Sequence, residues 1–98
     1  MSQQYDKFIW DTGKYLKNYQ KHGVTFDEAT TVFRDDRAVY LADEAHSDNE
    51  DRYIVIGLSS AANMLMVCHC YRNGDSTIRI ISARKATTAE TRMYDGGV

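Results

Sequence analysis

The stretch NMLMVCHCYRNGDSTIRIISAR, residues 63–84, decides the fold of this chain. It holds two runs of alternating apolar residues, rich in the β-branched and aromatic side chains that favour strands. Between the runs lies Asn73-Gly74, the strongest two-residue signal for a tight hairpin turn. The stretch therefore predicts two antiparallel strands, residues 63–72 and 76–84.

Two more strand-like segments precede this hairpin. AVYLA, residues 38–42, and RYIVIGLSS, residues 52–60, alternate with the same period of two. SAAN, residues 60–63, is suited to the turn that leads into the hairpin. Because the four segments follow one another without intervening helical spacing, they predict an antiparallel meander.

The residues before the meander predict one strand and two helices. FIW, residues 8–10, can form a short first strand. Asp11 can cap a helix that ends at a left-handed Gly23. Thr25 can cap a second, short helix, in which Glu28 would complete a capping box.

Helical spacing returns in residues 85–94, where Thr87 or Thr88 can cap a third helix. The predicted order is thus β-α-α-β-β-β-β-α. Separate runs of helices and strands indicate an α+β fold with an antiparallel sheet, one face of which the helices cover. With 98 residues and no linker, we expect a single domain spanning 1–98.

Composition and charge restrict the class of protein. No apolar run approaches the ~20 residues of a membrane span, and the first residues lack a signal-peptide pattern, so we expect a cytoplasmic protein. Residues 1–51 carry six Lys or Arg against eleven Asp or Glu, and residues 52–98 carry six against three. The second part is therefore the one that can face phosphate.

Strict alternation assigns the arginines of the last strand to opposite faces. Arg79 would share its face with Ile81 and Ala83, while Arg84 would point the other way at the end of the strand. The same rule places His69 opposite Cys68 and Cys70, which counts against a metal site formed by these three side chains. We expect both cysteines to be small core residues, and His69 fits either a core or a site role.

The polar loop of residues 43–52 allows three interpretations. It can be a solvated acidic connection, or it can supply an acid–base pair from His46 and Glu50, with Arg52 orienting the carboxylate. It can also hold a divalent ion, although its spacing matches no standard loop; the ligands would then be Asp43, His46, Asp48 and Glu50.

Three longer segments carry a family resemblance over nearly the whole chain. They are FIWDTGKYLKNYQKHGVTFDEATTVFRD, residues 8–35, DEAHSDNEDRYIVIG, residues 43–57, and IRIISARKATTAETRMY, residues 78–94. Together they resemble the BrnT family of bacterial type II toxins. The main departures from the family pattern are the extra Asp48 and Asp51 of the loop and the DGGV segment, residues 95–98.

The resemblance implies a ribonuclease with a RelE-like fold that arrests growth. It also implies a BrnA-type ribbon-helix-helix antitoxin, which would form a 2:2 complex and alone contact operator DNA. RNA cleavage by the 2′-hydroxyl needs a base, an acid and cations, and requires no metal or other cofactor. The catalytic candidates are His46, Glu50, Arg52, His69, Arg79 and Arg84.

The candidate roles divide by chemistry. Arg79 and Arg84 would stabilise the phosphate charge, and His46 or His69 would move protons, with Glu50 as an alternative base. Candidate RNA-binding cations are Lys21, Lys85 and Arg92. Lys21 can instead keep its helix soluble, and Arg92 can instead pair with a carboxylate. The competing function is a catalytically inactive module that still pairs with a DNA-binding antitoxin.

Overall fold

A computed structural model describes residues 7–47 and 49–96. Its elements, in chain order, are β1 (Lys7–Ile9), α1 (Thr12–His22), α2 (Phe26–Val32), β2 (Val39–Ala42), a 3₁₀ turn (Glu44–His46), β3 (Tyr53–Leu58), β4 (Met64–Arg72), β5 (Thr77–Lys85) and α3 (Thr88–Tyr94). This order confirms the predicted α+β fold; only the 3₁₀ turn was not expected. No helix in the described ranges is long and apolar enough to cross a membrane.

The strands form one sheet in the order β1-β5-β4-β3-β2. Strands β2 to β5 pair antiparallel in sequence order, which confirms the meander. Strand β1 pairs with β5 in parallel, so the sheet is mixed at this edge. A parallel neighbour requires a long crossover, and here the connection comprises α1, α2 and the strands β2 to β4.

The caps of α1 follow from the sequence. The Oδ1 atom of Asp11 accepts a hydrogen bond from the backbone N–H of Lys14 at 2.9 Å. At the other end Gly23 has φ 71°, and its N–H donates to the carbonyl of Tyr19 at 2.8 Å. A left-handed residue at this position favours glycine because it has no Cβ.

The cap of α2 is confirmed at Thr25, whose hydroxyl accepts from the N–H of Glu28 at 3.1 Å. The predicted capping box is wrong, because the carboxylate of Glu28 turns to the β3–β4 connection. It accepts from the Ser59 hydroxyl at 2.6 Å and from the Asn63 amide at 2.8 Å. A complete capping box forms instead at α3, where Thr87 is the cap.

Helices α1 and α2 cover one face of the sheet. The apolar side of α2 packs on the sheet residues Val55, Leu65, Val67, Ile78, Ile80 and Ala83. The approach is close at Gly57, where a Cβ would lie 2.8 Å from the Cγ1 atom of Val32. Burying this apolar surface is the main source of stability.

A buried amide joins α1 to the last strand. Asn18 is 7% exposed, and its Nδ2 donates to the carbonyl of Ala83 at 2.9 Å while its Oδ1 accepts from the N–H of Ala83 at 3.0 Å. Strand β1 pairs with β5 only as far as Arg79. Asn18 therefore satisfies backbone groups that the parallel strand does not reach.

A bulge in β5 corrects the predicted facing of the arginines. Between Cys68 and His69 the β4 partners change from Ser82 to Ile80, which leaves one residue of β5 unpaired. Arg79 lies opposite Cys70, and Arg84 lies opposite Met66. Since Met66 and Cys70 are four residues apart on one strand, Arg79 and Arg84 point to the same face.

That face carries α3, which corrects the prediction that all helices lie on one side. The guanidinium of Arg84 donates to both carboxylate oxygens of Glu90 at 2.8 and 2.9 Å. The hydroxyl of Tyr94 donates to Asp35 Oδ2 at 2.7 Å, and the N–H of Leu58 donates to the same oxygen at 2.8 Å. Helix α3 thus lies against β3 and covers one end of the face opposite α1 and α2.

Candidate functional site

The other end of this face is polar and carries three guanidinium groups. Arg52 precedes β3, Arg72 ends β4, and Arg79 lies in β5. Glu50 lies beside them and contacts Arg72. We call the region formed by Arg52, Arg72, Arg79, Glu50 and Cys70 the arginine face.

Arg79 is the cation of this face that lies within β5, between β1 and β4 in the sheet. Its side chain is half-buried, and among residues 7–47 and 49–96 it makes no hydrogen bond or ion pair. Two carboxylates lie near Arg79. Backbone hydrogen bonds from Lys14 and Gly13 lower the pKa of Asp11, and the charge of Arg79 lowers it further. The hydrogen bond from Arg72 lowers the pKa of Glu50, and the charge of Arg79 again adds to this effect. Arg79 is thus available to a phosphate group.

Arg72 binds Glu50, which corrects the expectation that Arg52 would orient this carboxylate. Arg72 Nη2 lies 2.8 Å from Glu50 Oε2, and Nη1 lies 3.3 Å from the Sγ atom of Cys70. The hydrogen bond from Arg72 holds the pKa of Glu50 below its usual range. Glu50 is therefore a poor proton acceptor near neutral pH.

Arg52 is fixed by the base of the loop. The N–H of Asp43 donates to the Arg52 carbonyl at 2.8 Å, and the N–H of Arg52 donates to the Ser47 hydroxyl at 3.0 Å. The buried Nε atom of Arg52 has no hydrogen-bond partner in the described part of the chain. A buried donor without an acceptor is costly, and an anionic ligand would supply one.

His46 lies at the end of the 3₁₀ turn and is oriented by Asp43. Its Nδ1 atom is 3.1 Å from both carboxylate oxygens of Asp43, while 68% of the His46 side chain is exposed. With Nδ1–H donating to the carboxylate, the neutral ring presents Nε2 as a proton acceptor. The expected partner, Glu50, makes no hydrogen bond to this ring within the described ranges.

His46 and the arginine face meet in an open cleft of about 230 Å³. The residues that line it are His46, Asn49, Glu50 and Arg52. The structure thus brings together three of the six catalytic candidates, and Arg79 lies close enough to influence Glu50. The cleft combines an oriented proton acceptor with cations, which suits cleavage of a phosphodiester.

His69 lies on the other side of the sheet. It is 0% exposed and is surrounded by the rings of Phe33, Tyr40, Tyr53 and Tyr71. Its Nδ1 lies 3.2 Å from the carbonyl of Val67, and burial lowers its pKa to about 4. The structure does not bring His69 to the cleft, and a buried neutral ring fits a core role.

The remaining predicted cations lie apart from the cleft. Arg84 is paired with Glu90 at the α3 end of the face. Lys21 is exposed near the end of α1, Lys85 is exposed at the end of β5, and Arg92 is exposed on α3. None of these three forms an ion pair within the described residues, including the pair considered for Arg92.

The cysteines are buried, as predicted, with Cys68 at 7% and Cys70 at 1% exposure. Burial raises the pKa of Cys68 to about 11, so its thiol stays protonated. Within residues 7–47 and 49–96, no group of three His, Cys, Asp or Glu side chains is placed to hold a metal ion. Asp48, one of the four ligands considered for the loop, lies outside the described residues.

Sequence reasoning missed the roles of Asp43 and Arg72. The spacing of three between Asp43 and His46 was visible, but only the unexpected 3₁₀ turn brings the two side chains together. Arg72 follows the apolar run of β4 and lies 22 residues from Glu50, so no local pattern connects them.

Comparison with known proteins also points to an enzyme that cleaves RNA. Residues 10–90 match the family described as the ribonuclease toxin BrnT of type II toxin–antitoxin systems. The chain is similar to the ribonuclease toxin BrnT of Brucella abortus, known from a crystal structure, with 26% identity and a TM-score of 0.64. The match covers 84% of this chain and 97% of the Brucella chain. No curated protein matches.

Proposed function

The chain belongs to the BrnT family of ribonuclease toxins of type II toxin–antitoxin systems, and from this membership we propose that it is a metal-independent endoribonuclease whose proton acceptor is His46. The observation that carries the proposal is the Asp43–His46 pair, which opens into a cleft shared with Glu50 and Arg52. The family supports the reaction class, and the geometry of the site supports the roles that we propose for the residues.

His46 is the better base of the three candidates. The hydrogen bond from Arg72 depresses the pKa of Glu50, and a carboxylate so stabilised gains little by taking a proton. His69 is inaccessible, because it is 0% exposed on the helix-covered face. An exposed imidazole held at Nδ1 by Asp43 has its second nitrogen free for the substrate.

The step we propose uses the 2′-hydroxyl of RNA as nucleophile. Nε2 of His46 takes the proton of the hydroxyl, the O2′–P bond forms, and the P–O5′ bond breaks. The leaving O5′ takes a proton from solvent, so the products are a 2′,3′-cyclic phosphate and a 5′-hydroxyl. Arg79 and Arg52 stabilise the charge that accumulates on the phosphate oxygens.

A type II toxin has a protein antitoxin as its partner. We propose that this partner is of the BrnA type, with a ribbon-helix-helix part that binds operator DNA and forms a 2:2 complex in the cytoplasm. Its acidic groups would cover Arg79 and Lys85, because an uncovered cation is available to RNA. We also propose that the fold is related to that of RelE.

Incubating the purified protein with RNA in EDTA distinguishes the proposed ribonuclease from an inactive partner-binding module. A metal-independent ribonuclease cleaves the RNA, whereas an inactive partner-binding module leaves it intact. Expression of the toxin without antitoxin should arrest growth, and co-expression with the product of a neighbouring antitoxin gene should relieve it. A complex as active as the free protein would contradict the proposed neutralisation.

A further inference from the structure

Arg79 and Arg84 lie on one face but are too far apart to bind one phosphate. Their partners on β4, Cys70 and Met66, are four residues apart, which is about 13 Å along a strand. This separation exceeds a single step between neighbouring phosphates of an RNA strand. The guanidinium of Arg84 is also directed to α3, where Glu90 binds it.

We propose that Arg84 is a second phosphate-binding subsite, for a phosphate beyond the immediate neighbour of the one cleaved beside Arg79, and that Glu90 occupies this subsite in the free protein. The inference rests on the proposed function only in assuming that an RNA strand crosses Arg79. It moves Arg84 from the cleaved phosphate to one further along the strand.

The geometry of the Arg84–Glu90 pair supports this assignment. The two parallel hydrogen bonds, 2.8 and 2.9 Å long, are the arrangement that a guanidinium also forms with phosphate. Glu90 thus stands where two phosphate oxygens would bind. The side chain of Arg84 is 31% exposed, so a ligand can reach it from solvent.

Helix α3 is weakly held, which allows the exchange. None of its residues is buried. Its described side-chain hydrogen bonds to the rest of the fold are those of Glu90 with Arg84 and of Tyr94 with Asp35. The Arg84–Glu90 pair remains partly open to solvent, with 31% and 20% of the two side chains exposed, so an RNA phosphate can compete with Glu90 for Arg84.

Binding of RNA that cannot be cleaved tests the subsite without requiring activity. We suggest 2′-O-methyl oligonucleotides of two and of eight nucleotides, because only the longer one can reach both Arg79 and Arg84. Glu90→Gln should bind the longer oligonucleotide about two- to fivefold more tightly at 0.15 M salt. The salt dependence should steepen by about 0.7 for the additional phosphate contact. The dinucleotide should show neither change.

Two matched variants complete the test. Asp95→Asn removes the same charge just after α3 and should leave the affinity for both oligonucleotides nearly unchanged. Arg84→Gln should weaken only the longer oligonucleotide and should abolish the gain from Glu90→Gln. Thermal unfolding shows whether the variants remain folded; if Glu90→Gln does not, the length dependence of Arg84→Gln decides.

The subsite is overturned if Glu90→Gln and Asp95→Asn have equal effects, since the gain would then reflect net charge. An equal gain for two and eight nucleotides, or no gain, overturns it as well. These binding results are independent of catalysis. Loss of the proposed ribonuclease mechanism would therefore show in the cleavage assay, while loss of the subsite would show only here.

Discussion

The imidazole Nδ1 of His46 lies 3.1 Å from both carboxylate oxygens of Asp43. This pair differs from the neighbouring one, in which Arg72 engages Glu50. A carboxylate that holds an imidazole fixes its orientation and leaves the second nitrogen available. A carboxylate held by a guanidinium is neutralised and loses basicity. Among the described residues of the loop, His46 is therefore the base that we propose.

His46→Ala should reduce kcat by ~10²- to 10⁴-fold, the usual contribution of a positioned base. Asp43→Asn should cause part of this loss with little change in KM, because RNA binding does not depend on the orientation of His46. Steady-state cleavage of a short fluorescent RNA measures both parameters. Glu44→Gln, which removes an exposed neighbouring charge, should retain full activity; an equal loss in this control would indicate a charge effect alone.

Arg79→Ala should reduce kcat by ~10²- to 10³-fold, as loss of a charge-stabilising donor does in other enzymes. Arg79→Lys should recover only part of the rate, since an ammonium cannot form the bidentate contact. The control is Arg34→Ala, which removes an equal charge from an exposed position outside the arginine face. Unchanged kcat in Arg79→Ala at normal stability would assign this arginine no role in the reaction.

His69→Phe should leave ribonuclease activity unchanged, because the ring packs among aromatic side chains on the other side of the sheet. A fall in kcat comparable to that of His46→Ala would place His69 in the reaction and contradict the proposed roles. Circular dichroism, measured with activity, distinguishes this outcome from misfolding.

The same variant should change how stability depends on pH. The folded pKa of His69, about 4, lies below the ~6.5 of an unfolded histidine. Between these values the unfolded chain binds the proton that the folded chain excludes, so the free energy of unfolding falls as pH falls, by up to roughly 3 kcal/mol. Denaturant titrations at several pH values should show a smaller fall in His69→Phe; identical slopes would contradict the buried neutral state.

Asn18→Ala should lower the free energy of unfolding by about 2 kcal/mol or more, because it leaves the N–H and carbonyl of Ala83 without their partner. Gln20→Ala, an exposed amide on the same helix, should change stability by less than about 0.5 kcal/mol. Urea denaturation compares the two. Equal effects would mean that the amide of Asn18 is dispensable.

The sequence predicted the parts of the fold that depend on local pattern. Alternation located β2 to β5, and the caps at Asp11, Thr25 and Thr87 mark helix starts because a cap acts within three residues. The bulge in β5 has no local signature, and one extra residue reverses every side chain beyond it. This is why Arg79 and Arg84 were assigned to different faces.

The candidate site was predicted in its residue types but not in its pairings. His46, Glu50 and Arg52 were singled out because their chemistry suits a phosphodiester. Their partners depend on tertiary contacts, since Arg72 reaches Glu50 across 22 positions and Cys70 lies beneath both. The sequence offered His46 and His69 equally as proton-transfer residues. Alternation shows to which face of the sheet a side chain points, but not which face the helices cover.

The chemical ends of the RNA product test the central claim most directly. Wild-type protein is incubated with a defined RNA in EDTA, and the fragments are examined by mass spectrometry, with His46→Ala in parallel. The proposed mechanism predicts 2′,3′-cyclic phosphates paired with 5′-hydroxyls, and little product from the variant. Fragments that carry 5′-phosphates, or cleavage that requires a divalent metal, would contradict it.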